Sequence, residues 1–163
     1  MKLLISHTQI LTPSDNKTNI DIPFRLRQSF PALFIRTKYD PKIVTDENLS
    51  RQQIEAGIKR YIPENAREQW GQWEDYMPVL NFVTLSLDYE EEYVGCAHRH
   101  SPVQDHIISE NYSSPGFFRH AILPGRWNCS LNCHAIVDQT VTYTLELYGA
   151  EENEELHDHI QAF

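Results

Sequence analysis

Strict alternation of apolar and polar residues marks two neighbouring segments near the C-terminal end of the chain. The apolar positions are Trp127, Cys129, Leu131 and Cys133 in the first segment, and Val141, Tyr143, Leu145 and Leu147 in the second. Successive side chains of a β-strand point to opposite faces, so each segment has one apolar and one polar face. The two segments predict half of an antiparallel sandwich and place Trp127 in its core.

The same alternation, or a dense run of β-branched and aromatic residues, predicts further strands upstream. They cover residues 19–27, 32–39, 79–89, 104–109 and 116–123, while residues 90–100 fit a loop or a bulged edge. Pro23 has no N–H to donate, so we expect the first of these strands to lie at a sheet edge or to end its pairing there. Turn signals separate the strands at intervals of about ten residues. The pattern predicts an all-β fold, an antiparallel β-sandwich that is jelly-roll-like.

Residues 50–62 break the β pattern and predict one inserted α-helix. Ser50 and Gln53 have the spacing of a capping box, and Pro63 ends the helix. Glu55 and Lys59 would support its polar face. An apolar stripe at four-residue intervals would face the sandwich; it consists of Ile54, Ile58 and Ile62.

These elements divide the chain into one domain and a tail. The sandwich domain is predicted over residues 1–149, with a helical insertion at about 46–78 whose second half, 63–78, is irregular. Residues 150–163 form an acidic C-terminal tail. The tail could be a short amphipathic helix that docks on a neighbouring subunit, or a disordered segment.

Size and charge narrow the classes of partner. The chain has 163 residues and a formal net charge of −9, with 14 Lys and Arg against 23 Asp and Glu. No nucleic-acid partner is expected, because phosphate binding needs clusters of Lys and Arg that the sequence lacks. No apolar run reaches the roughly 18 to 20 residues of a membrane span, and none resembles a signal peptide. We therefore expect a soluble, cytoplasmic protein that has no contact with a membrane.

The three cysteines do not predict thiol chemistry. Cys129 and Cys133 lie on one strand face about 13 Å apart, too far for a disulfide within the strand. Both are expected to be small buried hydrophobes. Cys96 could be a free thiol, but no Cys-His-Asp arrangement is readable around it.

A group of exposed-looking aromatic residues is the first candidate site. Trp70, Trp73, Tyr76 and Tyr93 could form a stacking platform for a sugar ring, with side chains such as Asn81 or Asp75 binding its hydroxyls. The polar neighbours of the two tryptophans, Gln69, Gln72 and Glu74, are consistent with this hypothesis. The alternative is that Trp70 and Trp73 simply pack against the helix.

A second candidate is a histidine cluster. His98 and His100 would point to one face of a strand, and His106 could complete a site for Zn²⁺ or another divalent metal. His120 and His134 are further candidates for the third ligand. The alternative is that these are solvated or hydrogen-bonding histidines, because the charge of Arg99 between the first two opposes a cation.

Several motifs together indicate a family resemblance. The segment from Ile108 to Gly149 contains a Ser-Pro-Gly-aromatic turn, a Pro-Gly-x-Trp entry to a strand and two alternating strands. With IDIPFRL, KYDP and VLNFVTLSLDY upstream, this pattern resembles the β-sandwich accessory module of CehA/McbA-type metallohydrolases, where the module precedes a catalytic PHP domain. The resemblance covers residues 19–149. It implies a binding or accessory module; the family's metal ligands lie on the PHP domain, so no catalytic residue transfers to this chain.

Three functions are consistent with these observations. The first is a non-catalytic binding or interaction module, whose ligand could be a carbohydrate or a protein partner such as a PHP-type hydrolase. The second is a small metal-dependent hydrolase that uses the histidine cluster. The third is a structural protein that forms homo-oligomers through its sheet edges or its tail.

Overall fold

The computed structural model describes residues 1–151, in which eight β-strands form two antiparallel sheets. The first sheet has the strand order β1-β8-β3-β6 and the second has the order β2-β7-β4-β5. The predicted all-β sandwich with one inserted helix is therefore confirmed. The elements are β1 (Lys2–Leu11), β2 (Thr18–Leu26), β3 (Ala32–Asp40), α1 (Glu47–Tyr61), β4 (Phe82–Tyr89), β5 (Glu92–Ala97), β6 (Val103–Ser109), β7 (Gly125–Ala135) and β8 (Val141–Gly149).

The core lies between the sheets and is filled by alternate residues of the strands. β7 pairs with both β2 and β4, and β8 pairs with both β1 and β3, so the two alternating segments are central strands. Their apolar faces are buried, with Trp127 at 1% exposure and Cys129 at 0%. The indole N–H of Trp127 donates to the carbonyl oxygen of Leu123 over 3.0 Å, which satisfies its one polar group.

Strand β1 could not be predicted from the local pattern of apolar and polar residues. No strand is predicted for residues 2–11, yet they pair with β8 from Lys2 to Leu11. A register shift between Leu3 and Ile5 interrupts the alternation of this edge strand, so its period-two signal is broken. Residues 92–97 form the edge strand β5 with a register shift in its pairing to β4, which agrees with the expected bulged edge.

The strand predicted at 116–123 is wrong. The segment makes only isolated bridges, Gly95 with Phe117 and Phe30 with Ile122. Gly116 has a φ of 103°, a conformation that interrupts extended backbone. The segment is apolar because Phe117 and Ile122 are both buried in the main hydrophobic core, although the segment forms no regular strand.

The helix is confirmed, but its start and its cap differ from the prediction. α1 begins at Glu47, and the side chain of Asp46 accepts the backbone N–H of Leu49 over 3.0 Å. Ser50 is instead fully buried within the first turn of the helix. The half-buried stripe of Ile54, Ile58 and Ile62 lies as expected. On the exposed side, Glu55 pairs with Arg51 rather than with Lys59, over 2.7 Å.

The insertion connects β3 of the first sheet to β4 of the second. After α1 it continues through two 3₁₀ turns, Glu64–Gln69 and Trp73–Tyr76. Residues 152–163, most of the predicted acidic tail, lie outside the described residues. Within residues 1–151, no helix is long and apolar enough to cross a membrane.

Candidate functional site

A buried amide and a buried carboxylate fix the base of the insertion. Asn81 is 0% exposed, and its Nδ2 donates to the Asp138 carboxylate over 2.6 Å and to the Pro41 carbonyl over 3.0 Å. Asp138 also accepts from the Thr45 hydroxyl over 3.2 Å. Asn81 is thus a structural residue, and its predicted role in binding sugar hydroxyls is wrong.

The insertion forms a cleft beside Trp73, which we call the Trp73 cleft. Its volume is about 330 Å³ and it opens between α1 and the segment that follows α1. The indole is half-buried, and the guanidinium carbon of Arg51 lies 5.3 Å from its ring centroid, a cation–π contact that orients the ring. The cleft is lined by Glu55, Ile58, Lys59, Arg67, Glu68, Gly71, Gln72 and Trp73.

The other predicted aromatic residues have different surroundings. Trp70 is 58% exposed, and the hydroxyl of Tyr76 donates to its carbonyl oxygen over 2.6 Å. Asp75 accepts the backbone N–H of Gln72 over 2.8 Å and so holds the turn that carries Trp73. Trp73 alone among the predicted aromatics lines the cleft.

Tyr93 does not join this group. It pairs with Asp88 near the end of β4, whereas the insertion enters β4 at Phe82, the opposite end. Its ring contacts Phe118 edge-on, at a centroid distance of 6.4 Å. The four predicted ligand-binding residues therefore lie at two separate places.

Three histidines gather around one phenylalanine where the insertion meets the second sheet. The ring of His100 stacks on Phe82 at 4.6 Å, that of His134 lies at 4.9 Å, and that of His98 meets its edge at 5.2 Å. The Nζ atom of Lys42 lies 5.2 Å from the same ring centroid. We call this group of five residues the Phe82 cluster. The sequence indicates His134 only as an alternative third ligand and gives no signal for Lys42, because long-range pairing and packing bring both here.

His106 lies apart from that cluster. It is 1% exposed, its Nε2 lies 3.1 Å from Oε1 of Gln104, and its ring contacts Phe117. The Gln104 amide nitrogen donates to two backbone carbonyls, so Oε1 accepts and Nε2 of His106 carries the proton. Burial lowers the pKa of His106 to about 4, and the nearby charge of Arg99 acts in the same direction.

The predicted metal triad is not assembled. His98 and His100 contact Phe82, while His106 is enclosed beside Gln104. Across residues 1–151, no group of three or more His, Cys, Asp and Glu side chains is arranged to hold a metal ion. A divalent metal at these residues stays a prediction.

A hydrogen-bonded polar layer covers the outer face of the second sheet. Asn132 donates to Ser86 over 2.9 Å and to Thr84 over 3.3 Å. Farther along the sheet, Asp21 accepts from Ser130 and Asn128, which lowers the pKa of its carboxyl. In the sequence, the polar residues that alternate with the core positions of β7 predict a face that points outward. They do not indicate that its side chains form a hydrogen-bonded network.

The fold defines an antiparallel β-sandwich protein with a helical insertion, and the Trp73 cleft and the Phe82 cluster are its candidate sites. A comparison of the chain with models of known protein families found no match, and neither did a comparison with curated proteins.

Proposed function

We propose that the protein is a non-catalytic binding module that takes a carbohydrate in the Trp73 cleft. The observation that carries this proposal is a half-buried indole in the wall of a 330 Å³ cleft with charged and amide side chains around it. Sugar rings present apolar C–H faces to an aromatic ring, and their hydroxyls need both donors and acceptors. Lys59, Arg67 and Gln72 supply donors, while Glu55 and Glu68 supply acceptors.

The way in which the cleft is held supports a binding role. Arg67 donates to the carbonyl oxygens of Ile62 and Lys59, over 3.3 and 3.4 Å, so the segment after α1 is tied back to the helix. A site whose walls are already placed loses less entropy when the ligand binds. The resemblance to an accessory module of metallohydrolases, which supplies no catalytic residue, also favours binding over catalysis.

Glycan-array screening followed by calorimetry tests the proposal. We expect a glycan to bind the wild-type protein and Trp73→Ala to lose at least about fivefold in affinity, because stacking on an indole contributes more than about 1 kcal/mol. Trp70→Ala is the matched control, because Trp70 is exposed and does not line the cleft. An array without binders, or equal affinity in the Trp73 and Trp70 variants, would contradict a carbohydrate site here.

We further propose a PHP-type hydrolase as the protein partner. The support is the resemblance over residues 19–149, in which the sandwich and the hydrolase belong to one polypeptide. Co-expression with a PHP-type hydrolase from the same genome, followed by size-exclusion chromatography, should yield a joint peak. Separate elution at micromolar concentration would count against this partner.

We also propose that the protein works in the cytoplasm. Cys96, Cys129 and Cys133 are all free thiols, as expected in a reducing compartment. Fractionation of the producing cells, with a cytoplasmic and a secreted marker as controls, should place the protein with the cytoplasmic marker. Recovery with the secreted marker would reject this location.

A further inference from the structure

Three of the four outer strands of the sandwich have edges that are closed to a further strand. The outer strands are β1 and β6 in the first sheet and β2 and β5 in the second. β2 contains Pro23, which has no N–H to donate, and exposed charged side chains lie on either side of it at Asp21 and Arg25. Proline and charge both disfavour the addition of a strand.

The segment between β6 and β7 closes the edges of β5 and β6. On β5, the backbone N–H of Cys96 donates to the carbonyl oxygen of Gly116 over 2.9 Å. On β6, the carbonyl oxygen of Ile107 accepts the backbone N–H of Ser114 over 2.8 Å. Backbone groups at both edges are therefore already bonded within the chain.

The free edge of β1 differs from the other three. β1 pairs with β8 from Lys2 to Leu11, and among residues 1–151 no other strand or loop backbone pairs with its second side. The strand contains no proline, and Lys2 is its only side chain with a fixed charge. A long edge without these protective residues presents a row of unpaired N–H and C=O groups to a further strand.

Two exposed aliphatic side chains stand on the outer face of this edge strand. Leu3 is 52% exposed and Ile10 is 50% exposed. Leu3 pairs with Tyr148 and Ile10 pairs with Thr142, two residues of β8 that alternate with its buried positions. Paired residues of neighbouring strands share a face, so Leu3 and Ile10 both lie on the outer face of the first sheet.

The placement of these two side chains is symmetric about His7. The β8 partner of His7 is Leu145, which lies three positions along β8 from the partner of Leu3 and three from the partner of Ile10. A second β1 strand, antiparallel to the first and related to it by a two-fold axis at His7, would therefore set its own Ile10 opposite Leu3 and its own Leu3 opposite Ile10. Leu145 is buried, so His7 points between the two sheets and not toward this outer contact.

We propose that the free edge of β1 binds a second copy of this chain by antiparallel strand pairing about a two-fold axis at His7. The pairing joins the two four-stranded first sheets into one continuous sheet. Backbone hydrogen bonds hold the two strands together, and the contacts between Leu3 and Ile10 fix the register. The symmetric placement of Leu3 and Ile10 favours a copy of β1 over an unrelated strand. The insertion that carries the Trp73 cleft connects β3 to β4, so this pairing makes no use of the cleft.

Sedimentation equilibrium of the full chain tests the pairing. The buffer contains about 0.15 M salt, which screens the formal charge of −9 that each copy carries. Between about 1 and about 200 μM protein, we expect a concentration-dependent dimer with twice the 19.1 kDa mass of one chain. A chain that stays monomeric over this range would leave the edge to a strand of another protein and would overturn the proposal.

Two double variants test the strand and its register. Leu3→Lys with Ile10→Lys sets like charges opposite each other twice and should raise the dissociation constant of the dimer at least about tenfold. Leu3→Lys with Ile10→Glu sets opposite charges at the same two places and should bring the dissociation constant back to within about threefold of the wild-type value. Within one chain the two positions lie near opposite ends of β1, so the difference between the variants reports on the contact between copies.

Tyr61→Lys is the control for an exposed apolar residue elsewhere. Tyr61 is 72% exposed and ends α1, so its substitution should leave the dissociation constant unchanged. Circular dichroism and thermal melting establish that each variant is folded. A folded Leu3→Lys, Ile10→Lys variant that dimerises like wild type would reject the β1 edge. Equal weakening in the two double variants would reject the antiparallel register at His7.

Discussion

The side chains of Asn81 and Asp138 are joined by a 2.6 Å hydrogen bond that ties both ends of the insertion to the turn between β7 and β8. Asn81 Oδ1 also accepts the backbone N–H groups of Val137 and Asp138, over 2.8 and 3.3 Å. All hydrogen-bonding positions of this amide are thus used by the protein. These hydrogen bonds hold together the start of the insertion, at Pro41 and Thr45, and its end at Asn81. Asn81 directly precedes Phe82 of the Phe82 cluster.

Asn81→Ala should lower the free energy of unfolding by about 3 kcal/mol. The substitution removes two donors and one acceptor and leaves the buried Asp138 carboxylate with only the Thr45 contacts. Urea unfolding followed by circular dichroism measures the change. Asn65→Ala, at an exposed position of the insertion, is the control and should stay within about 0.5 kcal/mol of wild type. A loss below about 1 kcal/mol for Asn81→Ala would mean that water replaces the amide.

The unfolding free energy should fall at acid pH because of His106. The pKa of His106 is about 4 in the folded protein, against an ordinary value of 6.5. Between these two pH values, the His106 ring is protonated in the unfolded chain and neutral in the folded protein. The contribution is complete above about pH 6.5 and is lost as pH falls through about 4, and it amounts to about 3 kcal/mol.

The variant His106→Leu isolates this contribution. Because leucine does not titrate, the variant should lose less stability than wild type between about pH 7 and about pH 4, whatever its stability at neutral pH. Urea unfolding at a series of pH values measures both slopes, and an NMR titration of the His106 ring measures its pKa directly. Parallel slopes for the two proteins would show that another group causes the acid sensitivity.

A strand could be predicted from the sequence where it pairs regularly on both sides and buries one whole face, because its apolar and polar residues then alternate strictly. The run from Trp127 to Cys133 alternates without a break, because both neighbours of β7 are regular in this stretch and one face of the strand is buried throughout. The same reasoning failed at 116–123, where Phe117 and Ile122 are buried one at a time rather than as a strand face. For α1, the capping-box spacing of Ser50 and Gln53 did not locate the start of the helix, because Asp46 is the N-cap and Ser50 is buried in the first turn.

The candidate sites could be predicted only in part. Trp73 was recognised from its residue type, but the cleft depends on the turn held by Asp75 and on the return of Arg67 to α1. The Phe82 cluster combines residues from four separate places in the chain. His98 and His100 were visible as a pair, whereas Lys42 and His134 join them only through the pairing of β4 with β7 and the closure of the insertion. The sequence around each residue gives no indication of which distant strand it will pair with or in which register.

Two glycines should respond to alanine in opposite directions. Gly116 has a φ of 103°, and a Cβ atom there would collide with the carbonyl oxygen of Cys96, so Gly116→Ala should cost at least about 2 kcal/mol. Gly57 lies within α1, and no atom stands within 4 Å of the place that an alanine Cβ would occupy. Gly57→Ala should therefore stabilise the protein by about 0.5 to 1 kcal/mol. Thermal melting of the two variants checks the signs, and a neutral Gly116→Ala would show that the segment along β5 rearranges freely.

Substitution of serine for Cys129 and for Cys96 should change the free energy of unfolding by different amounts, because Cys129 lies in the core and Cys96 in the polar layer. Cys129 is 0% exposed and pairs in register with Ile22 and Leu87, so Cys129→Ser buries a hydroxyl among apolar neighbours and should cost about 2 to 3 kcal/mol. Cys96 is half-buried, with its Sγ 3.8 Å from both Thr84 Oγ1 and Asn132 Nδ2. The Cys96→Ser hydroxyl can use these partners, so we expect a change within about 0.5 kcal/mol. Urea unfolding of both variants measures the difference, and equal losses would contradict the assignment of Cys129 to the core and Cys96 to the polar layer.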